Sequence, residues 1–346
     1  MNTRHKMRIK KLVTGLVFSL PVFTLSAIEK PSFEQYVADL QQEALAKGHA
    51  AAIVEQAFAN VTYLKRAVKA DKNQPEFKET LDTYLPKRVP EWKVKKAREA
   101  YKENLPLLTK ISKEYGVQPR FIVSLWALET NFGRIQGKMP IIDAVTTLAY
   151  DGRRESFFKK QLFASLSILE QGHISQDKFV GSWAGAMGQC QFIPTSFIAY
   201  AADGDGDGKK DIWGNKADVF ASIANYLKRE GWSNQKTWGR QVKVPEGFDA
   251  SHIMPKGSKG RSQWLKNWRR SEKSLEQWSA LGLTRMDGRP LPKADLTAAL
   301  LMPDDAKGRL YLGYDNYKSL MHWNRSYYFV TSVGYLADRI GYPRVQ

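Results

Sequence analysis

The stretch Phe121-Ile122-Val123-Ser124-Leu125-Trp126-Ala127-Leu128-Glu129-Thr130-Asn131-Phe132-Gly133-Arg134 begins apolar on every side. As a helix, its first half belongs in a core and not on an amphipathic surface. Asn131 and Gly133 are helix-stop residues, which places Glu129 in the last turn with Leu125, Trp126 and Phe132 as neighbours. Desolvation and the negative end of the helix both disfavour a carboxylate there, so both raise its pKa. An acid kept protonated near neutral pH is what protonation of a glycosidic oxygen requires. The plainer alternative is a solvated surface charge, the usual condition of a Glu near a helix end.

Upstream of this helix, Tyr115-Gly116-Val117-Gln118-Pro119 is a break. Before it the spacing predicts a helical N-terminal region. Ser32 to Gly48 has Ser32 and Gln35 at capping-box spacing and a Gly stop; further helices are expected around Ala50 to Asn60 and Glu91 to Glu114. The Pro-bearing stretch Asn73 to Pro90 reads as their separator.

Downstream, Glu155 to Leu169 has helical spacing, and Gly181 to Phe192 is punctuated by glycines without helical or strand period. Glycine lets a backbone approach a ligand closely, so this segment is either a cleft wall or an ordinary turn-rich loop. Asp203, Asp205, Asp207 and Asp211 then fall at positions one, three, five and nine of a calcium loop. Gly208 at six supplies the turn glycine, Lys209 offers a carbonyl at seven, and helical stretches flank the loop at Pro194 to Ala201 and Ala217 to Glu230. Position twelve is Gly214 where a bidentate Glu is expected, and Asp218 can substitute from the next helix. A plain acidic turn is the alternative. From Gln235 to Tyr314 the texture turns to Pro, Gly and short mixed segments such as Gln241 to Val244 and Leu296 to Met302, a small β-containing insertion. Tyr317 to Ile340 is helical again.

Composition bounds the rest. With 346 residues, 43% hydrophobic and 12% aromatic, the chain has a core and is long enough for two or three domains. Residues 1–27 read as a secretory signal: five basic residues, then the apolar run Leu12 to Leu25. Those five account for part of the net charge of +18, leaving +13. A basic surplus makes nucleic acid the first suspect on charge alone, but export argues against it and favours a wall bearing carboxylates, or solubility with no partner. The sole cysteine, Cys190, lies far from the signal, so no lipid-attachment site follows it and no internal disulfide forms. The expectation is a soluble periplasmic protein with no transmembrane helix in its mature form.

Taken together, Leu125-Trp-Ala-Leu-Glu-Thr-Asn-Phe-Gly133, Gly185-Ala-Met-Gly-Gln-Cys-Gln-Phe-Ile-Pro194 and the Asp-rich loop resemble the lytic murein transglycosylase B family. So do Gln74 to Phe77, Ile142-Asp143-Ala144 through Arg154, and the Asn324 region. The resemblance implies a mainly α (α+β) fold: a lysozyme-like catalytic core, a helical N-terminal domain and a small inserted β domain. On this chain those are 28–115, the core at 116–234 with the calcium loop, the insertion at 235–314, and a C-terminal helical part at 315–346. It implies cleavage of the β-1,4 bond between N-acetylmuramic acid and N-acetylglucosamine in peptidoglycan strands, ending in a 1,6-anhydro sugar. By match to the family motifs Glu129 is the catalytic acid and base. Ser182, Gln191, Tyr226 and Asn324 are substrate-contacting residues, Arg153 and Arg154 are cleft arginines facing lactyl or peptide carboxylates, and Asp203, Asp205, Asp207, Lys209, Asp211 and Asp218 hold a structural calcium. Ala127 replaces a common glycine, and Phe329 stands where a cleft tyrosine is often seen, leaving Tyr328 as the possible source of that hydroxyl. Ordinary glycosidases need a second carboxylate; Asp143, Asp151 and Glu155 are available but read as structural or capping groups. A hydrolytic muramidase and a non-catalytic wall-binding protein are the competing readings.

Overall fold

A computed structural model describes residues 30–73, 79–256, 260–304 and 307–341. The signal segment 1–27 and the motif Gln74 to Phe77 lie outside them. The chain opens with six helices, α1 (Phe33–Ala46), α2 (Ala51–Phe58), α3 (Lys65–Lys72), α4 (Leu81–Arg88), α5 (Glu91–Glu103) and α6 (Leu105–Tyr115). Ser32 caps α1 by accepting from the Gln35 amide, as its spacing predicts, but the Gln35 side chain turns to Asp39 and leaves the capping box half made. The stretch expected as one helix from Glu91 to Glu114 is two. Asn104 donates its side-chain amide back to the Ala100 carbonyl, and Pro106 in the first turn of α6 has no amide to give to α5. Conversely α4 forms inside the expected separator and tolerates Pro86.

The central helix, α7 (Pro119–Thr130), starts with Pro119 in its first turn and ends where Asn131 adopts φ 51° and ψ 54°, followed by Phe132 at φ 63°. Every side chain from Arg120 to Thr130 except Glu129 is buried. α7 packs against α5, α6, α15 (Tyr327–Gly341) and α11 (Lys216–Arg229), and Ser124 Oγ donates to the Val333 carbonyl of α15 at 2.7 Å. Between α7 and α11 lie β1 (Met139–Pro140), α8 (Ile141–Asp151), α9 (Glu155–Glu170), β2 (Val180–Gly181) and α10 (Pro194–Tyr200). β1 and β2 pair antiparallel beside the end of α7. α8 is buried almost throughout, so it has no polar face whose period sequence reading could find.

The stretch expected as an insertion, 235–314, holds β3 (Gly239–Lys243), α12 (Gly260–Ser271), β4 (Glu272–Ser274), α13 (Leu275–Ala280), β5 (Thr284–Arg285), β6 (Thr297–Leu301) and β7 (Leu310–Gly313). Its strands form one antiparallel sheet in the order β4-β6-β7-β3-β5. Along β6, Ala298 and Leu300 enter a small core with Trp278 and Leu312, while Ala299 and Leu301 join the main core. Both faces of the strand are therefore covered, and it reads as an unbroken apolar run. The helical stretch expected from Tyr317 to Ile340 divides into α14 (Asp315–Trp323) and α15, because Asn324 turns extended and its Oδ1 accepts from the Ser326 amide. The architecture of the described residues is mainly helical, with a small five-stranded antiparallel sheet and the two-stranded β1-β2 pair. Among the described residues no helix is long and apolar enough to cross a membrane.

Candidate active site

Glu129 sits in the last turn of α7 with its residue surface only partly exposed and its carboxyl crowded by the core. Burial raises its pKa from near 4.5 to about 7, against the opposing pull of a Trp323 hydrogen bond and the Arg88 charge. Trp323 Nε1 donates to Glu129 Oε1 at 2.6 Å. The indole is held at the end of α14 by rings: Tyr226 meets it edge-on at 4.7 Å and Phe192 tilts against it at 5.2 Å. Tyr226 in turn donates its hydroxyl to the His322 carbonyl at 2.7 Å.

The glycine-punctuated segment closes over the end of α7. Gln189 fastens it there, accepting from Trp126 Nε1 at 2.7 Å and donating to the Trp213 carbonyl at 2.8 Å. A Cβ on Gly133 would come within 2.3 Å of the Gln189 side-chain oxygen, and one on Gly188, at φ 60°, within 2.6 Å of the Ile212 carbonyl. Gln191 also has positive φ, 51°, and its side-chain amide donates to the Gln136 and Gly188 carbonyls. Ser182 Oγ accepts from the Ala184 and Ala186 amides and shapes the turn.

Below this segment the Asp-rich loop brings carboxylate oxygens of Asp203, Asp205 and Asp218 within 4.8 Å of one another. Asp218 is fully buried; desolvation raises its pKa and the charges of Asp205 and Asp203 add to the rise. Its oxygens accept from the Gly204 and Asp211 amides, which ties α11 across the loop. Three facing carboxylates, one of them buried, form an all-oxygen donor set of the kind a hard divalent cation takes. Asp207 accepts from the Lys209 amide and Asp211 from the Trp213 and Gly214 amides, and Asp203 likewise accepts from the Gly206 and Gly208 amides, so these side chains hold the loop's own turns.

Residues 32–338 match the family model of the transglycosylase SLT domain. The chain belongs to that family. It is 33% identical over 234 residues to membrane-bound lytic murein transglycosylase B of Escherichia coli (strain K12), an alignment of 67% of this chain that spans 59% of that relative's length. Among solved structures it resembles SltB3 from Pseudomonas aeruginosa in complex with NAG-NAM-pentapeptide, with a TM-score of 0.82, 37% identity, and 89% of this chain and 79% of that chain covered. SltB3 is also known in complex with NAG-anhNAM-pentapeptide. The Escherichia coli lytic transglycosylase Slt35 in complex with calcium has a TM-score of 0.72 and 26% identity over 90% of this chain and 94% of that one.

Within this transglycosylase domain the residues singled out by sequence are unevenly placed. Tyr226 is 8% exposed and spends its hydroxyl on a backbone carbonyl, so it reaches the site through Trp323. Asn324 follows Trp323 directly and caps α14. Arg153 and Arg154 both bind the carboxylate of Asp71 at the end of α3; the charge acting on Glu129 is that of Arg88. Tyr328 donates to the Glu79 carbonyl and to Asp304, so its hydroxyl is already engaged, and Phe329 is buried. The other acids have partners: Asp151 pairs with Lys72, and Glu155 accepts from the Tyr36 hydroxyl. Asp143 is buried in the first turn of α8, and desolvation raises its pKa. Cys190 is fully buried, its thiol pKa pushed well up by desolvation, which leaves it inert. Sequence reasoning missed two residues, Trp323 as the partner of Glu129 and Gln189 as the clamp. The aromatic-polar run Trp323 to Phe329 was the one local signal for the first.

Proposed function

We propose that the chain is a peptidoglycan lytic transglycosylase that cleaves the β-1,4 bond between N-acetylmuramic acid and N-acetylglucosamine, with Glu129 as its single acid and base. The observation that carries this is one carboxyl at the end of a buried helix with its pKa about 7, under a tryptophan donor, while Asp151 and Glu155 are bound to Lys72 and Tyr36. Protonated Glu129 gives its proton to the glycosidic oxygen as the bond to the anomeric carbon breaks. The carboxylate formed, stabilised by Trp323, faces the positive charge on the sugar. It then takes the proton of the muramyl 6-hydroxyl as that oxygen bonds to the anomeric carbon. No water is consumed, and Glu129 ends protonated as it began.

In this reading Ser182, Gln191 and Asn324 line the substrate path, Tyr226 sets Trp323, and Arg153 and Arg154 keep exposed guanidinium surface for a carboxylate. Asp203, Asp205 and Asp218 would hold a calcium ion, with the remaining loop residues Asp207, Lys209 and Asp211 around it. The ion would tie the loop to α11; Slt35 binding calcium supports the choice. The second hydrophobic cluster, all of it within 235–314, supports a β insertion with a small core of its own, and the substrate class supports an exported, periplasmic protein. The test is digestion of purified sacculi with product mass spectrometry. Fragments ending in anhydromuramic acid are expected from the native chain and none from Glu129→Gln. Products heavier by one water would make it a hydrolase, and no release at all would make it a binding protein.

A further inference from the structure

Glu230 caps the C-terminal end of α11, and its side chain, 8% exposed, collects partners from three other helices. Tyr200 at the end of α10 donates its hydroxyl to Oε1, and Arg261 in the first turn of α12 donates to Oε2 at 2.8 Å. His322 near the end of α14 puts Nδ1 2.6 Å from the same Oε2. At that distance from a carboxylate oxygen the ring nitrogen carries the proton and donates it. His322 Nε2 is then a lone pair, buried with no partner among the described residues. Burial first, then the Arg261 charge, with Lys318 adding to them against the pull of Glu230, hold the His322 pKa below 6.5, so the ring is neutral at pH 7. Desolvation raises the Glu230 pKa, but the Tyr200 hydrogen bond with the neighbouring His322 and Arg261 brings it below 4.5. Glu230 is thus ionised where Glu129 is protonated.

Both side chains that Glu230 holds beside Arg261 lead to Trp323. His322 is the residue before it, and the His322 carbonyl accepts the Tyr226 hydroxyl at 2.7 Å. The Tyr200 ring lies 4.2 Å from the Tyr226 ring, which meets the Trp323 indole edge-on at 4.7 Å. Trp323 Nε1 in turn is 2.6 Å from Glu129 Oε1. Trp323 is the last residue of α14 and Asn324 is extended, so no following turn of the same helix supports the indole. Side chains supply that support.

We infer that Glu230 is a positioning residue for the acid: by gripping His322 and Tyr200 it sets Trp323 on the Glu129 carboxyl. The inference rests on the proposed function for the role of Glu129. Ser319 Oγ also donates to the Glu230 carbonyl at 3.0 Å, so Glu230 joins α11 to α14 as well, and the test separates the two roles.

The test reads the Glu129 titration directly, from the carbon-13 signal of its carboxyl in protein labelled at glutamate, identified by its loss in Glu129→Gln. Removing the negative charge of Glu230 would by itself lower the Glu129 pKa, so a rise reports the indole. Glu230→Ala should raise it by about one pH unit, the loss of a donor to the ionised form, and so should Trp323→Phe. In the Trp323→Phe protein the same Glu230→Ala change should raise it no further, because the contact it sustains is already gone. On sacculi Glu230→Ala should lower kcat roughly tenfold at unchanged KM. Glu230→Gln, whose amide can accept from His322 and donate to the Tyr200 oxygen, should restore most of both. A carboxylate that only joins helices would give no rise, or the same rise with and without the indole, and either result overturns the inference. Where Glu230→Ala fails to fold, His322→Ala, which leaves Glu230 to Tyr200 and Arg261, carries the same pair of titrations with the same readings. The titrations need no turnover: a native chain that releases no anhydro products from sacculi defeats the catalytic reading alone, while they still judge whether Glu230 sets Trp323 on Glu129.

Discussion

The proton affinity of Glu129 links its chemistry to the stability of the chain. Its folded pKa, about 7, stands above the ordinary 4.5, so the folded state holds a proton through a window in which the unfolded chain has released it. Stability is therefore lost as pH rises from about 4.5 to 7. Glu129→Gln removes the cost of a buried charge. It should melt higher than the native chain above pH 7, by an order of 1–3 kcal/mol, and equally near pH 4. Calorimetry at the two pH values checks this, and a variant no more stable at pH 8 would show the carboxyl to be well hydrated. The same protonated acid begins catalysis, so kcat/KM should fall on the alkaline side of about pH 7. Trp323→Phe deletes a donor that favours the ionised form; the alkaline limb should move upward while kcat drops, because the carboxylate has lost its support. Glu129 was legible in the sequence because its determinants are local: the apolar run before it and the stop residues after it. Trp323 was not, because it lies 194 residues away and nothing near either residue encodes their meeting.

At the scale of elements, the loops around α7 act as linked pieces of backbone. Gln189 joins the glycine-punctuated segment to α7 through Trp126 and to the last positions of the Asp-rich loop through Trp213 and Ile212. Gly188→Ala would drive a Cβ against the Ile212 carbonyl at positive φ. It should cost about 1–3 kcal/mol in denaturant unfolding and reduce activity by displacing Gln189 and Gln191. Normal activity in a fully folded Gly188→Ala protein would separate the segment from the site. The Asp-rich loop carries a second expectation at this scale. At a calcium concentration a hundred times the dissociation constant the ion adds about 2.7 kcal/mol, so chelation should lower the melting temperature, and Asp218→Asn should abolish the response. The loop was legible because its acids alternate within nine residues. Even Asp218 was within reach, one turn into the next helix. α4, α8 and α12 were not: a proline inside the first, burial on nearly every side of the second, and a basic surface around two buried tryptophans in the third each hide the helical period.

Across the whole molecule, the helical N-terminal part is fastened to the core by charge as well as by packing. Asp71 at the end of α3 receives Arg153 and Arg154 from the turn between α8 and α9. The carboxylate is nearly inaccessible, yet it lies shallow, covered largely by the two guanidiniums, which keep 50% and 39% of their own side-chain surface exposed. The hydrogen bond from Arg153 leads the causes that hold its pKa below the ordinary 3.8. That stabilisation is present above the unfolded value and is lost as pH falls through the lower folded one. Asp71→Asn should therefore destabilise the chain at pH 7. The cost should be about 1–3 kcal/mol, less than the 3–5 typical of a fully buried pair, because solvent screens both arginines. The deficit should shrink toward pH 3. Family resemblance gives the same arginines a place in the substrate cleft, and the variant separates the two roles. If they serve only to fasten α3, kcat/KM on sacculi well below the melting temperature stays native while thermal unfolding comes earlier. If they also bind substrate, freeing them from Asp71 changes KM at unchanged kcat, with the change confined to glycans that bear free carboxylates.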